Sequence, residues 1–325
     1  EEDWIVRREG FEAHWKCIEA CYRGCKRAFD ERGLKLRFMP THGCSHYFRG
    51  RNRDLIDGYL ETANRHGFRY DAVGIHAYSN IDGGLLGPND ADGEVKYLIE
   101  RMGYYGYPDS TPVLISESFN MLPYYVPEWG AKEWSDGVIC GPPSQDIGNR
   151  EFLQAASMAR LYLIYLKYWP KVAHCNNWQF RPGFLDVNLT PHLWLKVVNT
   201  LGHLLPDPQF VGDAKPFADV RGYVYRQGEQ AILAVWTTNH EVERGNRRGA
   251  NLEMRLPADA TFLDLMGNVR TSAAHGKTWP VPLTPAPLFI LSKDAEGLLK
   301  AIRTAGTDDP STGIRCDIRP AVDGS

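Results

Sequence analysis

Between positions 11 and 204 the apolar residues switch repeatedly between a helical period and short strand-like runs, and this exchange limits the folds open to the chain. Phe11, Trp15, Ile18, Tyr22, Cys25 and Phe29 recur at spacings of three and four, the mark of a helix with one buried stripe, and Gly33 stops it. Leu34 to Met39 reads as a short strand. The helical period returns at Leu55, Ile56, Tyr59, Leu60 and Ala63, with Gly67 at its end, and Tyr70 to Tyr78 reads as a second strand. Val95, Leu98, Ile99 and Met102 mark a third helix, and Pro112 to Ser116 a third strand. A long apolar helix over 151–168, a strand over 172–178 and a helix over 191–204 complete the series. Helix and strand in alternation imply parallel strands with right-handed helical crossovers, in an open doubly wound sheet or in a barrel.

Two observations favour the barrel. No glycine-rich phosphate loop follows any strand, as a dinucleotide-binding sheet would require. Polar and aromatic residues gather instead just after the strands, at His42, His76, Tyr78, Glu117, Asn177 and Trp178, where the C-terminal face of a (β/α)8 barrel carries its chemistry. Four strands do not close a barrel, so the expected class is α/β, a partial (β/α)8 barrel over residues 1–204. After Pro206 the period falls to two, with strand-like runs at 219–225, 230–237, 252–256, 261–266, 278–283 and 288–292, which predicts an all-β sandwich over 205–293. Residues 294–325 read as a short helix-like piece, then a linker, TDDPSTG, and the start of a further segment. Both ends of the chain look cut.

Glu117 ends the apolar strand Val113-Leu114-Ile115-Ser116. Hydrolysis of a glycosidic bond with retention needs two carboxyl groups about 5–5.5 Å apart, one to attack the anomeric carbon and one to protonate the leaving oxygen. A glutamate held at a strand end suits the first role; the plainer alternative is a solvated surface residue.

The segments YDAVGIHAY, VLISESF and VAHCNNWQF, in that order, resemble strands six, seven and eight of clan A glycoside hydrolases, and the later part, with its DLMGNV turn, is similar to the C-terminal domains that follow many of those barrels. The resemblance covers most of residues 1–293. It implies a barrel half of about strands five to eight and a retaining hydrolase acting on a neutral glycan, without metal or cofactor. It matches Glu117 to the nucleophile, Tyr78 to the residue that orients it, His76 to a sugar contact and Trp178 to the aromatic under the sugar ring, with Asn177 beside it. The clan's acid/base is a Glu that follows an Asn at the end of strand four, which makes Glu1 the candidate here, with Glu2 second and a merely solvated acidic N-terminus as the alternative. From Ser118 to Asn149 no regular period holds, a length that usually marks a functional loop. It carries Tyr124, Tyr125, Trp129 and Trp134; Tyr124 and Trp129 are taken as substrate platforms, and the bland alternative is that these aromatics pack the loop onto the barrel.

Composition excludes several other classes. A net charge of −3 offers no basic surface for nucleic acid or an anionic membrane, no stretch has the roughly 18 consecutive apolar residues of a membrane span, and no export signal is legible. Localisation and oligomeric state stay open. Cys17, Cys21 and Cys25 recur every four residues and read as buried helix packing, not as a metal or cluster site; with seven cysteines in all, mostly free thiols are expected. His42, Cys44, His46, His76 and His174 suggest a rival, a metal-dependent barrel hydrolase. The fourth strand ends Asn176-Asn177-Trp178, without the acidic ligand such a site wants. A non-catalytic carbohydrate-binding protein is the second rival.

Overall fold

The computed structural model describes residues 2–39, 41–44, 52–76, 91–118, 147–177, 191–239, 242, 248–270 and 278–308. They form two compact units, one comprising residues 1–147 and 164–192 and the other 148–163 and 193–325. Among the described residues no helix is long and apolar enough to cross a membrane.

Helix and strand alternate along the chain: α1 (Glu2–Asp30), β1 (Thr41–Cys44), α2 (Asn52–Arg65), β2 (Val73–His76), α3 (Ala91–Tyr104), β3 (Val113–Ser118), α4 (Ile147–Leu166), most of which groups with the second unit, and β4 (Val172–Asn177). The strands form one parallel sheet in the order β1-β2-β3-β4, each joined to the next by a helical crossover, as parallel neighbours need. Val73, Ile75, Val113, Ile115 and Val172 are buried. Helix α1 is two helical segments joined at Gly10, whose φ of 82° breaks the α geometry. Its stripe packs through Trp15 stacked on His66, ring centroids 4.9 Å apart, and through His14 against Tyr59. Gly33 and Gly67 follow α1 and α2 at φ of 66° and 65°, left-handed positions that end helices and favour glycine.

Two expectations fail in this unit. The strand predicted at 34–39 is irregular backbone, because Phe38 turns its main chain to Asp71: its N–H donates to the Asp71 carboxylate at 2.8 Å and its carbonyl accepts the Asp71 N–H at 3.1 Å. The strand begins at Thr41, after Pro40, which has no N–H to give a ladder. The second failure concerns Cys17, Cys21 and Cys25, which are exposed free thiols, not buried packing. A four-residue repeat advances about 40° per step around a helix of 3.6 residues per turn, which carries Cys17 and Cys21 off the Phe11–Ile18–Tyr22 stripe; Cys25 is in line with that stripe and is exposed nonetheless.

The second unit holds most of α4, then α5 (Leu193–Leu204), β5 (Gln209–Ala214), β6 (Val220–Gln227), β7 (Gln230–Thr237), β8 (Asn251–Met254), β9 (Thr261–Leu263), β10 (Val269–Arg270), β11 (Trp279–Pro282), β12 (Leu288–Ser292), α6 (Ala295–Arg303) and β13 (Gly306–Thr307). A six-stranded sheet runs β10-β9-β12-β7-β6-β5 and a three-stranded sheet β11-β8-β13. Their shared core takes Val224, Leu233 and Ile290 from the larger sheet, Leu252, Met254 and Val281 from the smaller, and Leu298, Leu299 and Ile302 from α6. Tyr225 donates to the Leu163 carbonyl of α4 at 2.5 Å, and Arg160 of α4, fully buried, donates to the Thr237 carbonyl at 3.4 Å.

Residues 148–163 and 193–204 group with the antiparallel sheets, and the unit runs past 293 through α6, capped by Asp294 accepting the Gly297 N–H at 2.8 Å, to β13, which pairs with β8. The strand predicted over 261–266 stops at Leu263, where β9 turns back through 264–268 into β10. Asp264 accepts the Met266 and Asn268 N–H groups, each at 2.9 Å, and closes the turn between them.

Candidate site at the carboxyl end of the parallel sheet

All four parallel strands finish on residues of functional interest: Cys44, His76, Glu117-Ser118 and Asn177. Across the sheet, Cys44 pairs with His76, His76 with Glu117, and Ser118 with Asn177. The main chain thus brings the positions of His76, Glu117 and Asn177 into one row on three adjacent strands. Glu1, Tyr78, Tyr124, Trp129 and Trp178 lie outside the described residues, as do Tyr125, Trp134 and His46.

The row rests on well-anchored strands. Val113 and Ile115 on β3 are fully buried, and Val73 and Ile75 on β2 nearly so. At the opposite end the strand starts are tied together, Val73 N–H donating to the Pro112 carbonyl at 3.1 Å and Val113 N–H to the Lys171 carbonyl at 2.8 Å. The flanking helices are pinned as well. Asp57 of α2 accepts from Tyr97 and Arg101 of α3, and Asp92 at the start of α3 accepts from Lys167 at 3.1 Å and Tyr168 at 2.6 Å. Shifted titrations also fall at that far end: burial holds the Lys171 ammonium below the ordinary lysine range and pushes the Tyr107 phenol up.

The ladders slip just before the row. Ile75 pairs with Ile115, but the next pair is His76 with Glu117, and toward β4 the pair Ile115–Cys175 is followed by Ser118–Asn177. Strand β3 therefore carries one residue more than either neighbour at this step. Sequence reasoning passed over Ser116, whose hydroxyl donates to the Ile75 carbonyl at 3.2 Å across the slip. Its one signal was a polar residue at the end of an apolar run.

Among the described residues no group of three or more His, Cys, Asp or Glu side chains is gathered as metal ligands would be. His42 and Cys44 lie on β1 and His174 on β4, where His174 pairs with Leu114, short of the row at the strand ends.

The fold resembles those of solved clan A glycoside hydrolases. A family 39 glycoside hydrolase from Bacteroides cellulosilyticus matches with a TM-score of 0.53 and 16% identity, over 72% of this chain and 47% of that one. A family 51 α-L-arabinofuranosidase from Bifidobacterium longum gives 0.48 and 13%, over 87% and 63%, and a family 30 endoxylanase from Clostridium papyrosolvens gives 0.34 and 10%, over 74% and 70%. The chain spans about half the length of the family 39 structure. No protein-family model and no curated protein matches the sequence.

Proposed function

We propose that this chain is part of a retaining glycoside hydrolase of the clan A type, with Glu117 as its nucleophile. The observation that carries the reading is the position of Glu117. It is the last residue but one of β3, at the carboxyl edge of a parallel sheet, in register with His76 and one residue from the partner of Asn177, in a chain with the fold of a family 39 glycoside hydrolase. Carboxyl edges of such sheets are where barrel enzymes hold their reacting groups. On this reading the parallel sheet and its helices, within residues 1–204, are about strands five to eight of a (β/α)8 barrel. The antiparallel sheets form a β-sandwich that starts near 205 and continues through α6 and β13.

Reaction would proceed by double displacement on a β-linked or α-L-linked neutral glycan. The Glu117 carboxylate attacks the anomeric carbon while an acid/base glutamate, Glu1 being the candidate, protonates the leaving oxygen. Water then releases the sugar from Glu117, activated by the same acid/base residue. Tyr78 orients Glu117, Trp178 stacks under the ring, and His76, Asn177, Tyr124 and Trp129 contact the sugar. No metal or cofactor takes part.

The test uses the full-length protein. Wild type and Glu117→Ala are incubated with aryl glycosides and with polysaccharides, with and without azide. The expected result is loss of turnover in the variant and its recovery with azide as a glycosyl azide of inverted configuration. Full activity in Glu117→Ala sinks the assignment; activity abolished by a chelator redirects it to the histidines of β1 and its following loop; binding without turnover by the wild type leaves a carbohydrate-binding protein.

A further inference from the structure

Ser116 stands between the fully buried Ile115 and Glu117, on the strand that carries the extra residue. An extra residue facing two neighbours at the same step is a β-bulge, a device that bends a strand and re-aims side chains at barrel rims and beside active sites. In an unbroken strand side chains alternate, so position 117 would share the face of Val113 and Ile115, both fully buried among apolar groups. An ionised carboxylate is costly there. The slip puts position 117 in register with His76, one step beyond the buried Ile75–Ile115 pair.

Something must hold that slip in place, because a regular ladder is the competing arrangement. The Ser116 hydroxyl is bonded across it to the Ile75 carbonyl at 3.2 Å, and Ile75 is buried, so water is a poor substitute donor. We propose that Ser116 is a positioning residue: its bond to Ile75 locks the bulge in β3 and thereby fixes the main chain from which Glu117 attacks. The assignment rests on the reading of Glu117 as nucleophile.

Four variants of the full-length protein test it: Ser116→Ala, Ser116→Thr, Glu117→Ala and the double Ser116→Ala/Glu117→Ala. Misplacing a reacting group by about 1 Å costs on the order of 100-fold in rate, so Ser116→Ala should lower kcat by roughly 10- to 100-fold with KM little changed. Ser116→Thr, which keeps the hydroxyl, should stay close to wild type. With azide as nucleophile there is no carboxylate left to position, so the double variant should turn over as fast as Glu117→Ala alone. A wild-type kcat in Ser116→Ala overturns the proposal. So does a double variant slower than Glu117→Ala by the factor Ser116→Ala imposes on wild type, since Ser116 would then act on the sheet or the sugar and not through Glu117. An active Glu117→Ala overturns the nucleophile reading itself, and that single variant separates the two failures.

Discussion

Ile302 of α6 fills the space that a side chain at Gly222 of β6 would need: a Cβ built on Gly222 would lie 2.6 Å from Ile302 Cγ1 and 3.4 Å from Leu233 Cδ1. Ile302 is fully buried. Gly222→Ala should therefore destabilise the second unit by about 1–3 kcal/mol through overpacking, and it should cost less in an Ile302→Ala background, where Cγ1 is gone, since residues in contact do not add. Urea unfolding of the two single variants and the double checks this; strictly additive effects would show that the two positions do not compete for space.

Removing Asp92 should loosen the start of α3. Its carboxylate accepts from Lys167 and Tyr168, both half-buried. Tyr168→Phe removes the hydroxyl that donates to the Asp92 carboxylate and carbonyl and should cost about 1 kcal/mol, while Asp92→Ala, which strips both side-chain donors of their carboxylate, should cost more. Amide exchange in α3 reports the effect. Equal protection in both variants and wild type would mean the contact contributes nothing.

The thiols of Cys17, Cys21 and Cys25 should react rapidly with an aromatic disulfide reagent in the native chain, and Cys175, which is half-buried, more slowly. Mass spectrometry of the labelled peptides distinguishes them. Protection of all three helix cysteines until denaturant is added would place α1 under a cover.

Asp308 links the end of the second unit to acid stability. Its carboxylate accepts from the Asn251 side-chain amide and the Asn251 N–H, each at 2.8 Å, and these bonds, the side-chain one foremost, hold its pKa below the ordinary aspartate value. A depressed folded pKa contributes stability above the unfolded pKa and loses it as pH falls through the folded one. The melting-temperature gap between wild type and Asp308→Ala should be full above about pH 4 and close as the pH drops further. A gap that persists unchanged to pH 2 would show that the bond does not depend on charge.

Much of the parallel sheet was legible because its helices have one apolar face. The run of Leu55, Ile56, Tyr59, Leu60 and Ala63 falls wholly within α2, three residues after its start and two before its end. What escaped depends on partners distant in sequence. Leu34 to Met39 has strand-like composition, yet Asp71, 33 positions later, takes the main chain of Phe38. Strand β5 carries Gly212 in its interior and shows no alternation of burial, being an edge strand, so no period of two announced it. At the candidate site, Glu117 was readable from its place at the end of an apolar run. The bulge beside it was not, because a slip in register is a property of three strands together and leaves no mark on one of them.

The short ladder of β13 on β8 gives the second unit a mechanical fuse. Gly306 and Thr307 pair with Glu253 and Leu252, and Asp308 grips Asn251. A pull on the chain at residue 308 meets these few bonds first and peels them one after another. Only when they have parted does the load reach α6, whose Leu298, Leu299 and Ile302 are set in the core. Under such a pull these edge bonds would part while the packed interior is still unloaded.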